Sequence, residues 1–118
     1  MITKPQQQEL SVFHAEMCQA LADTTRISLL YELADAPKHV SQLVDVLGLP
    51  QPTVSRHLKV LRERGLARAD RDGGHVYYSL ADRRIVEALD LLRAALRDIL
   101  SDRGRLAGDE GRIPSNES

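Results

Sequence analysis

Hydrophobic positions in this chain follow a helical period over most of its length, interrupted once by a short alternating stretch. Leu10, Phe13, Met17 and Leu21 recur at spacings of three and four, which predicts a first helix. Asp23, followed by Thr24 and Thr25, is a good N-cap for a second helix with Ile27, Leu29, Leu30 and Leu33 as its apolar set, and Ala36-Pro37 ends it. A third helix, capped by Ser41, buries Leu43, Val44 and Leu47 and closes on Gly48 in a left-handed cap. Gln51 and Pro52 open a fourth, which runs to about Arg64, with Gly65 closing it. Strands are expected from Leu66 to Asp70 and from Val76 to Leu80, joined through Asp72-Gly73-Gly74. Asp82 caps a last long helix. On it Ile85, Leu89, Leu92, Leu96 and Ile99 alternate in spacings of four and three, a seam that a partner helix fills. The expected architecture is mainly α with one β-hairpin. A flexible arm (1–8) precedes the domain (9–103), and a polar tail rich in Gly, Asp, Glu, Ser and Asn (104–118) has nothing to bury and is expected to be disordered.

Composition narrows this picture. The 118 residues suit one domain, and with 42% hydrophobic but only 3% aromatic residues the core must be aliphatic and modest. A second copy of the chain is the expected source of further burial. The single cysteine, Cys18, excludes an intramolecular disulfide framework and a Cys-rich zinc site. Together with the absence of a long apolar run, it points to a cytoplasmic protein with no membrane partner.

The net charge of −1 conceals a segregation. Between Gln51 and His75 six cations (Arg56, Lys59, Arg62, Arg64, Arg68, Arg71) stand against three acids, whereas between Met1 and Pro50 three cations stand against six acids. Stepping 100° per residue along the fourth helix puts Val54, Leu58 and Leu61 on one face, Arg56 and Lys59 opposite, and Thr53 and Ser55 on the flanks. One helix fits a DNA major groove and reads it with side chains near its N-terminus. Gln51, Thr53, Ser55 and Arg56 occupy that end: Gln suits adenine, Arg suits guanine, and the Thr methyl suits thymine. Lys59, Arg62 and Arg64 suit phosphates, and Arg71 and His75 flank the hairpin tip, within reach of the DNA backbone or an adjacent minor groove. His57, at the edge of the core face, has two readings: a phosphate contact, or a hydrogen bond within the fold.

Three motifs, ALADTTRISLL at 20–30, PTVSRHLKVLRERGL at 52–66 and GGHVYYSL at 73–80, resemble the arsenic-repressor-like (ArsR/SmtB) regulators over roughly Val12 to Arg103. The resemblance implies a winged helix-turn-helix and a homodimer built from the first and last helices, through Leu10, Phe13, Met17, Ile85, Leu89, Leu92, Leu96 and Ile99. It also implies a double-stranded operator with two-fold pseudo-symmetry, and repression relieved by an effector, often a metal ion.

The chain departs from that family where metals bind. PKHVSQL puts His39 and Ser41 at the positions of the two cysteines of the third-helix site, and Gln42 at the acidic one. Without a thiolate pair, that site does not suit arsenite, cadmium or lead. In the last helix, Asp82-Arg83-Arg84 with Ala95 and Asp98 lacks both histidines of the second family site. The two-cysteine redox switch of some relatives is missing too. What remains is His14 and Cys18, i and i+4. They form either half of a site for a transition metal such as nickel or zinc, or a surface histidine beside a small core residue. Metal-independent and redox-responsive regulation stay open, as does a winged helix that binds protein rather than DNA. No nucleophile pair, Gly-rich phosphate loop or acid pair supports an enzyme.

Overall fold

The computed structural model describes residues 3–106. Its elements are α1 (Gln7–Phe13), a π-helical turn (His14–Cys18), α2 (Thr24–Asp35), β1 (Lys38–His39), α3 (Val40–Leu47), α4 (Gln51–Glu63), β2 (Ala67–Asp72), β3 (His75–Leu80) and α5 (Arg83–Leu106). Residues up to Arg83 make one compact unit, and those from Arg84 on make a second. Helix α1 starts at Gln7, overlapping the last two residues of the expected arm, and α5 continues past residue 103 to Leu106. The rest of the expected tail lies outside the described residues.

The first unit is organised by leucine. Leu29, Leu30 and Leu33 of α2, Leu43 of α3, Val54, Leu58 and Leu61 of α4, and Leu66 at the entry to β2 are 0–3% exposed. Among the described residues no aromatic side chain is buried, in keeping with the composition. Asp23 caps α2 by accepting a hydrogen bond from the Arg26 amide at 3.1 Å. At the other end of α2, the Lys38 ammonium donates to the carbonyl oxygens of Glu32 (2.8 Å) and Ala36 (3.4 Å), placing a cation where the helix dipole is negative. Gly48 (φ 67°) ends α3 in the left-handed conformation, and Pro52 sits in the first turn of α4.

Two expectations need correction. Ser41 is not the cap of α3. The helix starts at Val40 with His39 at the N-cap, and the Gln42 side chain reaches back to accept from the His39 amide at 2.9 Å. A polar residue three places after the cap thus satisfies the amide of the cap residue itself. The sheet also has three strands, in the order β1-β3-β2, rather than two. Lys38 and His39 pair antiparallel with Tyr78 and Tyr77, an arrangement set by tertiary contact, with no local sequence signal. The β2–β3 hairpin is longer than expected at both sides of a Gly73-Gly74 turn, pairing Ala67 with Leu80 through to Asp72 with His75. Both turn residues have positive φ (60° and 92°), which the two-residue hairpin demands and glycine supplies without strain.

The second unit is the amphipathic α5. Val86 and Leu89 are buried within the single chain, whereas Leu91, Leu92, Leu96 and Ile99 are 51–73% exposed. Leu89 of the expected seam is thus covered within the chain, whereas Leu91, outside that seam, is exposed. On α1, Leu10, Val12 and Phe13 are likewise exposed, while Met17 in the π turn and Ile85 at the start of α5 are half-buried.

Burial raises the pKa of the Asp23 carboxyl. The Arg26 amide hydrogen bond, the electrostatic pull of His57 and of Arg26, and a hydrogen bond from the Thr25 amide outweigh that effect and hold the group below the ordinary aspartate value. Because its folded pKa is depressed, its stabilisation is complete above the unfolded value and is lost as pH falls through the folded one. Asp23→Ala should cost about 1 kcal/mol at neutral pH, the usual worth of an N-cap. In urea unfolding, the gap between wild type and variant should be full at neutral pH and narrow as the pH falls below the ordinary aspartate value.

Candidate nucleic-acid interface

Helix α4 is gripped on one side and open on the other. Val54, Leu58 and Leu61 are fully buried, so the orientation of the helix about its own axis is set. That leaves Gln51, Ser55, Arg56, Lys59 and Arg62 exposed and Thr53 half-buried on the flank. Lys59 makes a surface ion pair with Glu63 one turn on (3.9 Å), which costs little to break when a phosphate competes.

Two residues assigned to this surface belong elsewhere. His57 is 13% exposed and faces the start of α2: its Nδ1 accepts from Arg26 Nη1 at 3.1 Å, and its Nε2 lies 4.0 Å from Asp23 Oδ1. His57 thus makes a hydrogen bond within the fold, the second of the two readings open for it. Arg64 is also turned inward, donating from Nη1 to the Ala15 carbonyl oxygen at 2.6 Å, with the Glu16 carboxylate 3.6 Å away. Neither attachment was legible in the sequence, because each joins positions more than thirty residues apart.

The hairpin separates two residues that the sequence placed together at its tip. Cross-strand partners share a face, and Arg71 pairs with Val76 whereas His75 pairs with Asp72, so Arg71 and His75 lie on opposite faces. His75 stacks on His39 (centroids 4.6 Å apart, planes 16° apart), with Tyr77 edge-on to both. The His75 face also carries Arg68, Asp70 and Asp72, and the two carboxylates line a shallow open groove with Pro37, Tyr77 and Ser79. Two carboxylates on that face oppose a phosphate, and Arg71 on the other face does not meet them.

His14 and Cys18 both fall in the π turn, His14 exposed and Cys18 half-buried. Among the described residues no group of three or more His, Cys, Asp or Glu is arranged to hold a metal ion. None of the described helices is long and apolar enough to cross a membrane.

A helix-turn-helix packed on a leucine core, with exposed cations along its second helix and a hairpin beside it, defines a winged-helix DNA-binding regulator. The family model described as "Bacterial regulatory protein, arsR family" matches residues 23–69. The HTH-type transcriptional repressor SmtB of Mycobacterium tuberculosis is 36% identical over 97 residues, covering 81% of this chain and 72% of the relative. The crystal structure of M. tuberculosis Rv0081 superposes with a TM-score of 0.71 at 35% identity, over 86% of this chain and 98% of that one. The cadmium metal-sensor CMTR of the same organism gives a TM-score of 0.57 at 42% identity, over 66% and 81%. The chain belongs to the arsR family of bacterial transcriptional regulators.

The two faces of the hairpin carry different side chains. Arg71→Ala should weaken DNA binding and lower the salt dependence of log K by about 0.9 for each phosphate it no longer neutralises, whereas His75→Ala should leave that slope unchanged. Fluorescence anisotropy across a potassium chloride series reads both.

Proposed function

We propose that this regulator is a homodimeric repressor, and that it reads a two-fold pseudo-symmetric operator by inserting α4 of each subunit into successive major grooves. The observation that carries the reading is the division of α4 into a fully buried Val54/Leu58/Leu61 face and an exposed face bearing Gln51, Ser55, Arg56, Lys59 and Arg62. Gln51, Thr53, Ser55 and Arg56 meet base edges at the helix N-terminus, while Lys59, Arg62 and Arg71 meet phosphates. Repression fits the relatives that carry that name, including SmtB. The exposed rows on α1 (Leu10, Val12, Phe13) and on α5 (Leu91, Leu92, Leu96, Ile99) are each surfaces that a second copy would cover.

Release from the operator follows when an effector favours a dimer whose recognition helices are spaced differently. The CMTR structure is that of a cadmium sensor. In this chain His39 and Ser41 stand where a thiolate pair would serve such a metal, and the His39 ring is stacked on His75. A cadmium response through α3 is therefore not part of this reading. A transition metal such as zinc or nickel, held by His14, Cys18 and ligands from a second subunit, is the remaining metal route.

Arg56→Ala should reduce specific affinity by about tenfold or more and relax base preference, since one bidentate base contact is worth about 1–3 kcal/mol. Lys59→Ala should weaken all sequences alike and lower the salt slope. Titrations with cognate and scrambled duplexes distinguish these outcomes, and an Arg56→Ala variant with undiminished specific affinity would remove α4 from the reading role. Leu92→Glu together with Leu96→Glu should yield monomers in sedimentation velocity and abolish tight operator binding; a persistent dimer would place the subunit contact elsewhere.

A further inference from the structure

We propose that Arg26 and Arg64 are positioning residues for DNA reading, transmitting the placement of residues 14–22 to α4. The inference rests on the reading that α4 contacts the operator, and it adds how that helix is held and by which route it is moved.

Helical register breaks just after α1. The Gln19 amide donates to the His14 carbonyl oxygen at 3.0 Å, five residues back, in the π turn. A regular α-helix would have sent that amide to the Ala15 oxygen. The Ala15 oxygen instead accepts from Arg64 Nη1 at 2.6 Å, at the C-cap of α4. The Glu16 carboxylate, 3.6 Å from the same nitrogen, adds charge to the contact.

A second fastening lies further along the same segment. Arg26 Nε donates to the Ala20 oxygen at 2.7 Å, and Nη2 donates to the Gln19 oxygen at 3.2 Å. Its third arm, Nη1, donates to His57 Nδ1 at 3.1 Å in the middle of α4. One guanidinium thus joins the segment after the π turn to the recognition helix, using three donors of a rigid planar fork. Helix α4 is therefore tied to residues 15–20 at its middle and at its end.

The leucine core alone does not supply this positioning. Apolar burial is non-directional and tolerates sliding along a greasy face. Charge-assisted hydrogen bonds to named carbonyl oxygens carry direction and register. The segment that receives them continues directly from α1, whose Leu10 and Phe13 are exposed. A change in how α1 is covered or bent, by a second subunit or by an effector, thereby reaches the reading face through two arginines.

The test uses the full chain, a duplex that it selects from a random-sequence library, and an unrelated duplex of equal length. Arg64→Ala should weaken binding to the selected duplex by several-fold to about thirtyfold, the range of couplings carried through protein networks. Its affinity for the unrelated duplex and its salt slope should not change. Arg64→Lys should restore much of the affinity, because one N–H suffices for the Ala15 oxygen. Arg26→Lys should not rescue binding although it keeps the charge, because an ammonium cannot span Gln19, Ala20 and His57 together. Both lysine variants serve as the readout if Arg64→Ala does not fold.

Three results would overturn the proposal. A salt slope lower by about two, one phosphate per subunit, would make Arg64 a DNA contact. A lowered melting temperature with unchanged affinity would make both arginines merely structural, and so would full function in Arg26→Lys. Arg56→Ala separates this inference from the reading beneath it. If Arg56→Ala weakens binding and the Arg26 and Arg64 variants do not, this inference alone fails; if Arg56→Ala binds like wild type, both fall.

Discussion

Burial of Val54, Leu58 and Leu61 is the contact on which the rest of the molecule depends. These three side chains, all 0% exposed, lock α4 about its long axis against a core that includes Leu29, Leu30 and Leu43, which are also fully buried. Truncating one buried leucine to alanine typically costs about 2–5 kcal/mol, a large share of the stability of a small domain. With the inward face so fixed, the outward face is not a matter of choice: Gln51, Ser55, Arg56 and Lys59 must point away from the core. An aliphatic core thus performs a recognition task, because it decides which side chains DNA meets.

Polar contacts refine what the core sets. Arg26 and Arg64 spend their donors inside the fold, on backbone carbonyl oxygens and His57, and Asp23 spends its carboxylate on a helix cap. Of the cations between Gln51 and His75, Arg56, Lys59, Arg62, Arg68 and Arg71 stay outside, gathered on α4 and β2. A nearly neutral chain therefore carries a cationic surface. The local charge over Gln51–His75 overstates it by one, because Arg64 is used internally.

The parts legible in the sequence were those written in local chemistry. Asp23 before two threonines, Gly48 after an apolar row, Pro52 in a first turn and Gly73-Gly74 between alternating residues each report a backbone state that neighbours alone decide. The 100° rule placed Val54, Leu58 and Leu61 inward because they repeat with the helix. What escaped was non-local. Strand β1 is two residues long and exists only because β3 lies beside it. The π turn and the arginine fastenings depend on approaches between segments that no window along the chain contains. The His39–His75 stack escaped for the same reason, and His57 could be placed only when Arg26, thirty-one residues away, was seen to meet it.

The sensing end is the less conventional part of the molecule. Its relatives include a cadmium sensor, yet the third-helix ligand positions hold His39 and Ser41. Familiar output geometry with altered input chemistry is a workable combination where the two are joined by a few hydrogen bonds rather than by a shared site. The most direct measurement of the central claim is guanine N7 methylation interference on a duplex selected by the full chain, because N7 faces only the major groove. The account predicts two interference windows related by a two-fold axis and spaced by whole helical turns, about 10 base pairs or a multiple. Tight binding with no major-groove interference would contradict it.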